Sequence, residues 1–162
     1  MKTLSLIAQL INNTITTINN NNATNASNLY NYYYLASQNW CSTDYKIHGL
    51  WGDITATDYP SYCNNVAFDL AELQTSPRYN EILDKWYDCT YEETINLYQH
   101  EWEKHGTCIA LQTGMTQNEY FEKTLDLFVD WDVESEPVCF DLDFELIPCS
   151  TFKKGGAKTQ RT

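Results

Sequence analysis

The chain has 162 residues, enough for one ordinary domain and too few for two. Its 43% hydrophobic content, with five Trp, twelve Tyr and six Phe, supplies a core and excludes wholesale disorder, and no apolar run approaches the ~20 residues of a membrane span. Ten basic against twenty-two acidic residues leave a net charge of −12, with every acid between Asp44 and Glu145, which makes the chain a poor candidate for a non-specific nucleic-acid clamp built from many cations.

The chain opens on a short apolar run, Leu4 to Ile11, interrupted by Gln9. It has the character of a signal segment, although no clean small-x-small cleavage site follows. Residues 12–28 hold eight Asn and four Thr, a low-complexity head expected to be disordered. Asn12, Asn22 and Asn25 each stand in an Asn-x-Ser/Thr glycosylation acceptor. Residues 1–28 therefore read as signal segment plus head, 29–150 as the folded domain, and 151–162 as a flexible basic tail carrying Lys153, Lys154, Lys158 and Arg161.

Within the domain, Tyr30–Trp40 is aromatic-rich and predicts a strand. Tyr45–Trp51 alternates and predicts a second, with Tyr45, Ile47 and Gly49 on one face and Lys46, His48 and Leu50 on the other. Ser76-Pro77 opens a helix whose apolar set is Tyr79, Ile82, Leu83 and Trp86. Thr90 with Glu93 forms a capping box and Gly106 a stop, giving a helix over about 91–105. Thr116 with Glu119 opens another, turning Tyr120, Phe121, Leu125 and Phe128 inward. Beyond Trp131, Val138–Phe140 and Phe144–Ile147 read as strands. Helices and strands do not alternate regularly, so the class is α+β: a central antiparallel sheet packed against several helices.

The six cysteines, at 41, 63, 89, 108, 139 and 149, form no Cys-x-x-Cys pair. Zinc ribbons and thioredoxin-like motifs need that close spacing, so a disulfide framework in an oxidising compartment is the better reading. Spacing alone leaves all fifteen pairings open.

Two of the three histidines lie in His100-Glu101-Trp102-Glu103-Lys104-His105. On a helix at about 100° per residue, His100, Lys104, Glu101 and His105 share one arc of about 140°. That face joins two imidazoles, a carboxylate and a cation, the makings of acid–base chemistry on an anion. A salt-bridged solvent face is the plainer reading, since Glu101 and Lys104 are an ordinary i, i+3 pair. Metal is disfavoured, because imidazoles at i, i+5 diverge where the zinc-protease pattern uses i, i+4. His48 taken alone, between Ile47 and Gly49-Leu50-Trp51, reads more simply as a packed strand residue.

Taken together, Ile47-His48-Gly49-Leu50-Trp51 and His100-Glu101-Trp102-Glu103-Lys104-His105-Gly106-Thr107-Cys108 resemble the two active-site segments of the ribonuclease T2 family. Tyr59-Pro60-x-x-Cys63, between them, fits the same pattern, and the likeness covers roughly 30–150. It implies an acidic, base-nonspecific endoribonuclease, secreted or held in a lysosomal or vacuolar lumen. Such an enzyme acts as a monomer on single-stranded RNA, with no metal or cofactor and no membrane attachment. The likeness gives His48 and His105 acid–base roles and His100 a phosphate-binding role. Glu101 and Lys104 would stabilise the phosphorane, and Trp51, Asp53 and Tyr59 would hold a base. A 2′,3′-cyclic phosphate would form first and open to a 3′-phosphate. It also implies a Cys63–Cys108 bond, with Cys139–Cys149 closing the C-terminal strands and Cys41 and Cys89 left undecided. The acidic body should repel RNA most at neutral pH, so an optimum between ~4 and 6 is expected.

Some residues depart from that pattern. Gly52 stands where Pro is usual, Leu97 where an aromatic is usual, and Asn39-Trp40-Cys41 where Gln-Trp-Pro is usual; the last two touch the second base site. Several dozen residues common in the family between the helix near Trp131 and Cys139 have no counterpart. A catalytically silent member serving for binding or storage is the competing reading.

Overall fold

The computed structural model describes residues 28–130 and 138–149. Apart from Asn28, the expected signal segment, the Asn/Thr-rich head with its three glycosylation acceptors, and the basic tail lie outside the described residues.

The elements run β1 (Tyr32–Gln38), β2 (Lys46–Asp53), α1 (Leu70–Leu73), α2 (Tyr79–Lys85), α3 (Tyr91–Glu101), a π-helical turn (Trp102–Gly106), α4 (Thr107–Thr113), α5 (Gln117–Asp130), β3 (Val138–Phe140) and β4 (Leu146–Ile147). The four strands form an antiparallel sheet in the order β2-β1-β3-β4, with helices packed against it, so the α+β reading holds. The core joins Leu35, Ile47 and Leu50 of the sheet to Ile82, Trp86, Tyr98, Tyr120, Phe121 and Leu125 of the helices. The edge strand β2 is fastened to them through its carbonyls. Trp86 Nε1 donates to the oxygen of His48 (2.9 Å), and Tyr120 Oη to that of Leu50 (3.1 Å).

The strand alternation expected for β2 fails at one point, and the failure positions the site. Ala36 pairs with Gly49, but Ser37 pairs with Ile47, leaving His48 as the extra residue of a β-bulge. A bulge reverses alternation downstream of itself. Ile47 and Leu50, three apart, consequently both enter the core, while His48 lies against Trp51 in edge contact at 5.7 Å. His48 and Leu50 do not share a face as the sequence pattern suggests.

A second expectation is corrected at Gly106. The helix does not stop there: Gly106 is helical (φ −57°) and α4 follows at once. The stop is Gly114, whose φ of 81° is the left-handed conformation that glycine adopts without penalty. Gly106 serves packing instead, because a Cβ there would come within 2.5 Å of the Trp102 ring. The capping residues behave as read: Glu93 N donates to Thr90 Oγ1 (3.1 Å), and Thr116 N to Glu119 Oε2 (2.8 Å).

Three disulfides staple this frame: Cys63–Cys108, Cys139–Cys149 and, left undecided by the sequence, Cys41–Cys89. Cys41–Cys89 ties the β1–β2 turn to the connection between α2 and α3.

The core is rich in buried phenols, and this gives it an alkaline limit. Burial holds Tyr30, Tyr98 and Tyr120 well above the usual tyrosine range. In the unfolded chain they ionise near ~10, so the unfolded state sheds protons first and stability falls as pH rises beyond ~10. A cooperative loss of circular dichroism is expected there, coincident with a step in tyrosinate absorbance. Ionisation of all twelve tyrosines before the circular dichroism changes would contradict it.

Candidate active site

The site forms where β2 meets the end of α3. Glu101 closes α3 and is 0% exposed, its carboxylate lying directly on the β2 backbone at Gly49. Only a residue without Cβ fits there, since a Cβ on Gly49 would stand 1.9 Å from Glu101 Oε2. A buried carboxylate needs donors. Trp51 Nε1 donates to Oε2 at 2.7 Å, and Oε1 faces His48 Nε2 at 3.3 Å and His100 Nε2 at 4.0 Å. The carboxylate is thus the hub that draws both segments together.

The π turn sets the next residues. Its looser winding, i to i+5, reduces the angle between side chains five apart compared with a straight α-helix. His100 and His105 accordingly approach to 6.4 Å between ring centroids. The His105 ring, buried, lies at 5.0 Å and 27° from Trp51 and at 5.7 Å from Tyr59. Lys104 Nζ sits 5.8 Å from the Tyr59 ring centroid, a cation–π arrangement on the opposite wall. That wall is held by Cys63–Cys108 and by Tyr62 N donating to the oxygen of Lys104 at 3.0 Å.

His48, Trp51, Tyr59, His100, Glu101, Lys104 and His105 line a single narrow cleft. Seven of the eight chemical residues singled out in the sequence therefore converge. The eighth, Asp53, is 0% exposed beneath Tyr32, whose hydroxyl donates to it at 3.3 Å, and it lies outside the lining. Trp51 reaches the cleft but is only 6% exposed, its ring roughly parallel to both Tyr34 and His105. The open aromatic beside His48 is Trp40, 59% exposed, in edge contact at 5.5 Å and held by Asp88 Oδ1 at 3.0 Å.

Sequence reasoning missed Gln38, whose Oε1 stands 2.6 Å from His48 Nδ1. A Gln at a strand end carries no chemical signature by itself; only the bulge makes it a neighbour of His48. The angular argument against a metal is also weakened by the π turn. Donor atoms of His100, Glu101 and His105 lie within 4.8 Å of one another and could hold an ion.

The sequence profile of the Ribonuclease T2 family matches residues 10–135. Ribonuclease 3 of Arabidopsis thaliana is 34% identical over 89 residues, 53% of this chain and 38% of that protein. Extracellular ribonuclease LE of Solanum lycopersicum is 37% identical over 89 residues, 53% of this chain and 37% of that one. Among solved structures, human RNase T2 superposes with a TM-score of 0.53 at 27% identity, covering 65% of this chain and 59% of that chain. The matched part spans well under half the length of the two plant relatives.

Proposed function

Because the chain belongs to the ribonuclease T2 family, we propose that it cleaves single-stranded RNA by acid–base transphosphorylation. The observation that carries this reading is the convergence of His48 and His105 on one cleft around the buried Glu101. Metal-independent RNA cleavage needs one group to remove the 2′-hydroxyl proton and another to protonate the departing 5′-oxygen. Imidazoles suit both tasks near neutral or acidic pH. His48 and His105 take these two roles. The 2′-oxygen attacks phosphorus, the 5′-oxygen leaves with the donated proton, and a 2′,3′-cyclic phosphate remains. Water then opens it to a 3′-phosphate.

The intermediate gathers negative charge on its phosphoryl oxygens, which Lys104 offsets from the Tyr59 side and His100 from the open side. Glu101 holds the two histidine-bearing elements and completes the charge balance. A base contacts the half-buried Tyr59, with Trp51 lining the cleft behind it and Asp53 supporting β2 from beneath; stacking on an aromatic face tolerates any base. The substrate of this reading is RNA, acted on by a monomer. Three disulfides support an oxidising compartment, secreted or vacuolar, and one relative is named extracellular.

One assay tests this. Single-stranded RNA incubated with the protein and EDTA should yield cyclic-phosphate ends first and 3′-phosphates later, while DNA, lacking the 2′-hydroxyl, stays intact. The rate should peak between pH ~4 and 6 at low salt, where fewer carboxylates repel the substrate. Added salt should raise kcat/KM at pH 7 relative to pH 5, because screening acts within ~10 Å at 0.1 M. Abolition by EDTA would assign a metal to His100, Glu101 and His105. RNA retained without cleavage would leave the binding or storage reading.

A further inference from the structure

We propose that Gln38 is a positioning residue that holds His48 as the Nδ1–H tautomer, so that Nε2 is the nitrogen offered to the cleft. The amide is 4% exposed and both of its ends are engaged. Its Nε2 donates to the backbone oxygen of Tyr87 at 3.3 Å, and its Oε1 stands 2.6 Å from His48 Nδ1. A carbonyl can only accept, so the NH₂ end must face Tyr87 and the oxygen must face His48. An acceptor at 2.6 Å requires the proton on Nδ1. His48 Nε2 is then the nitrogen that faces the cleft and Glu101 Oε1, 3.3 Å away, and it is where the exchanged proton sits: the imidazolium can donate to the carboxylate, and the neutral ring presents its lone pair.

Three features of the frame serve this contact. Gln38 is the last residue of β1, paired with Lys46, and the bulge at His48 swings the imidazole back toward it. The Tyr87 carbonyl that orients the amide lies two residues before Cys89. Cys89 is bonded to Cys41, three residues after Gln38, so the disulfide closes a short circuit around the amide. Finally, the indole of Trp86 donates to the His48 carbonyl at 2.9 Å, fixing the backbone from which the ring projects. A histidine whose second nitrogen is not held can flip or change tautomer, and the wrong tautomer turns the wrong nitrogen of the acid–base pair toward the substrate.

The consequence for rate rests on the ribonuclease reading, whereas the tautomer does not, and the two are measured separately. Long-range ¹H–¹⁵N correlation spectra of ¹⁵N-histidine-labelled protein, recorded without RNA at a pH where His48 is neutral, report the tautomer directly. The expected signature is a protonated Nδ1 and an unprotonated Nε2, with the preference lost in Gln38→Met, which keeps the length and removes the acceptor. On RNA, Gln38→Met should lower kcat by ~10-fold or more while KM stays within about threefold, since binding groups are untouched. A Nε2–H tautomer in the unsubstituted protein overturns the proposal, as does a Gln38→Met variant with the parental kcat. The Nδ1–H signature in a protein that cleaves no RNA supports the positioning and removes the ribonuclease reading instead.

Discussion

Alanine at His105 is expected to lower kcat/KM on single-stranded RNA by at least ~10²-fold, and alanine at His48 to do the same, the usual scale for losing a positioned acid or base. Both imidazoles border the same cleft, and the proposed transphosphorylation would use them together, so the double variant should be little worse than the poorer single one. His105 is buried against Trp51, so its loss also leaves a void. His105→Gln, which fills more of that space, separates the two effects: it should recover stability and not rate. His100, exposed at the rim, differs in kind, and His100→Ala should raise KM as well as lower kcat. Near-normal activity in His105→Ala would remove the proposed chemistry at its centre.

Gly49→Ala should be nearly as damaging, although it changes no ionisable group. Its new Cβ would fall 1.9 Å from Glu101 Oε2 and 2.8 Å from Trp51 Nε1, inside the bond that joins them. The Glu101 carboxylate must swing away or β2 and α3 must part, and either way Glu101 loses its indole donor while remaining buried. Overpacking of this kind costs about 1–3 kcal/mol, a fall in Tm of several degrees for a domain of this size. Activity should drop by ~10²-fold because His48 and Glu101 shift against each other. The cause is open to a double-mutant cycle. In a Glu101→Ala background most of the stability cost of Gly49→Ala should vanish, because the two closest clashing atoms belong to the Glu101 carboxyl and only Trp51 Nε1, at 2.8 Å, remains. A cost that persists undiminished would place the strain elsewhere in β2.

Much of the frame is legible in order along the chain. The capping residues Thr90 and Thr116 open helices because their side chains satisfy amide groups that nothing else reaches. The inward set of α5 follows from helical spacing alone, and Tyr120, Phe121 and Leu125 are all fully buried. The His100–Cys108 segment places a polar cluster on one helix face, and that cluster does meet His48 in a cleft. Gly106 looks like a helix stop in the sequence because glycine ends helices by adopting positive φ, yet glycine also admits a ring against the backbone. The two uses look alike in sequence and differ only in what stands nearby. The likeness to known active-site segments predicted Cys63–Cys108 but was silent on Cys41 and Cys89, whose pairing depends on how two loops are brought together.

The local matters are legible in the sequence: which stretches wind or extend, which faces are apolar, that the cysteines bond, and which side chains are suited to acid–base chemistry. These depend on residues a few positions apart, where periodicity and capping act. Tertiary structure alone decided the bulge that turns His48 toward Gln38, the π turn that brings His105 near His100, and the burial of Asp53 and Trp51. Each arises from a long-range fit. One extra residue in β2 is tolerated because β1 and the helices hold both sides of it, and Glu101 can sit at zero exposure because Gly49, some fifty residues away, leaves room for its carboxylate.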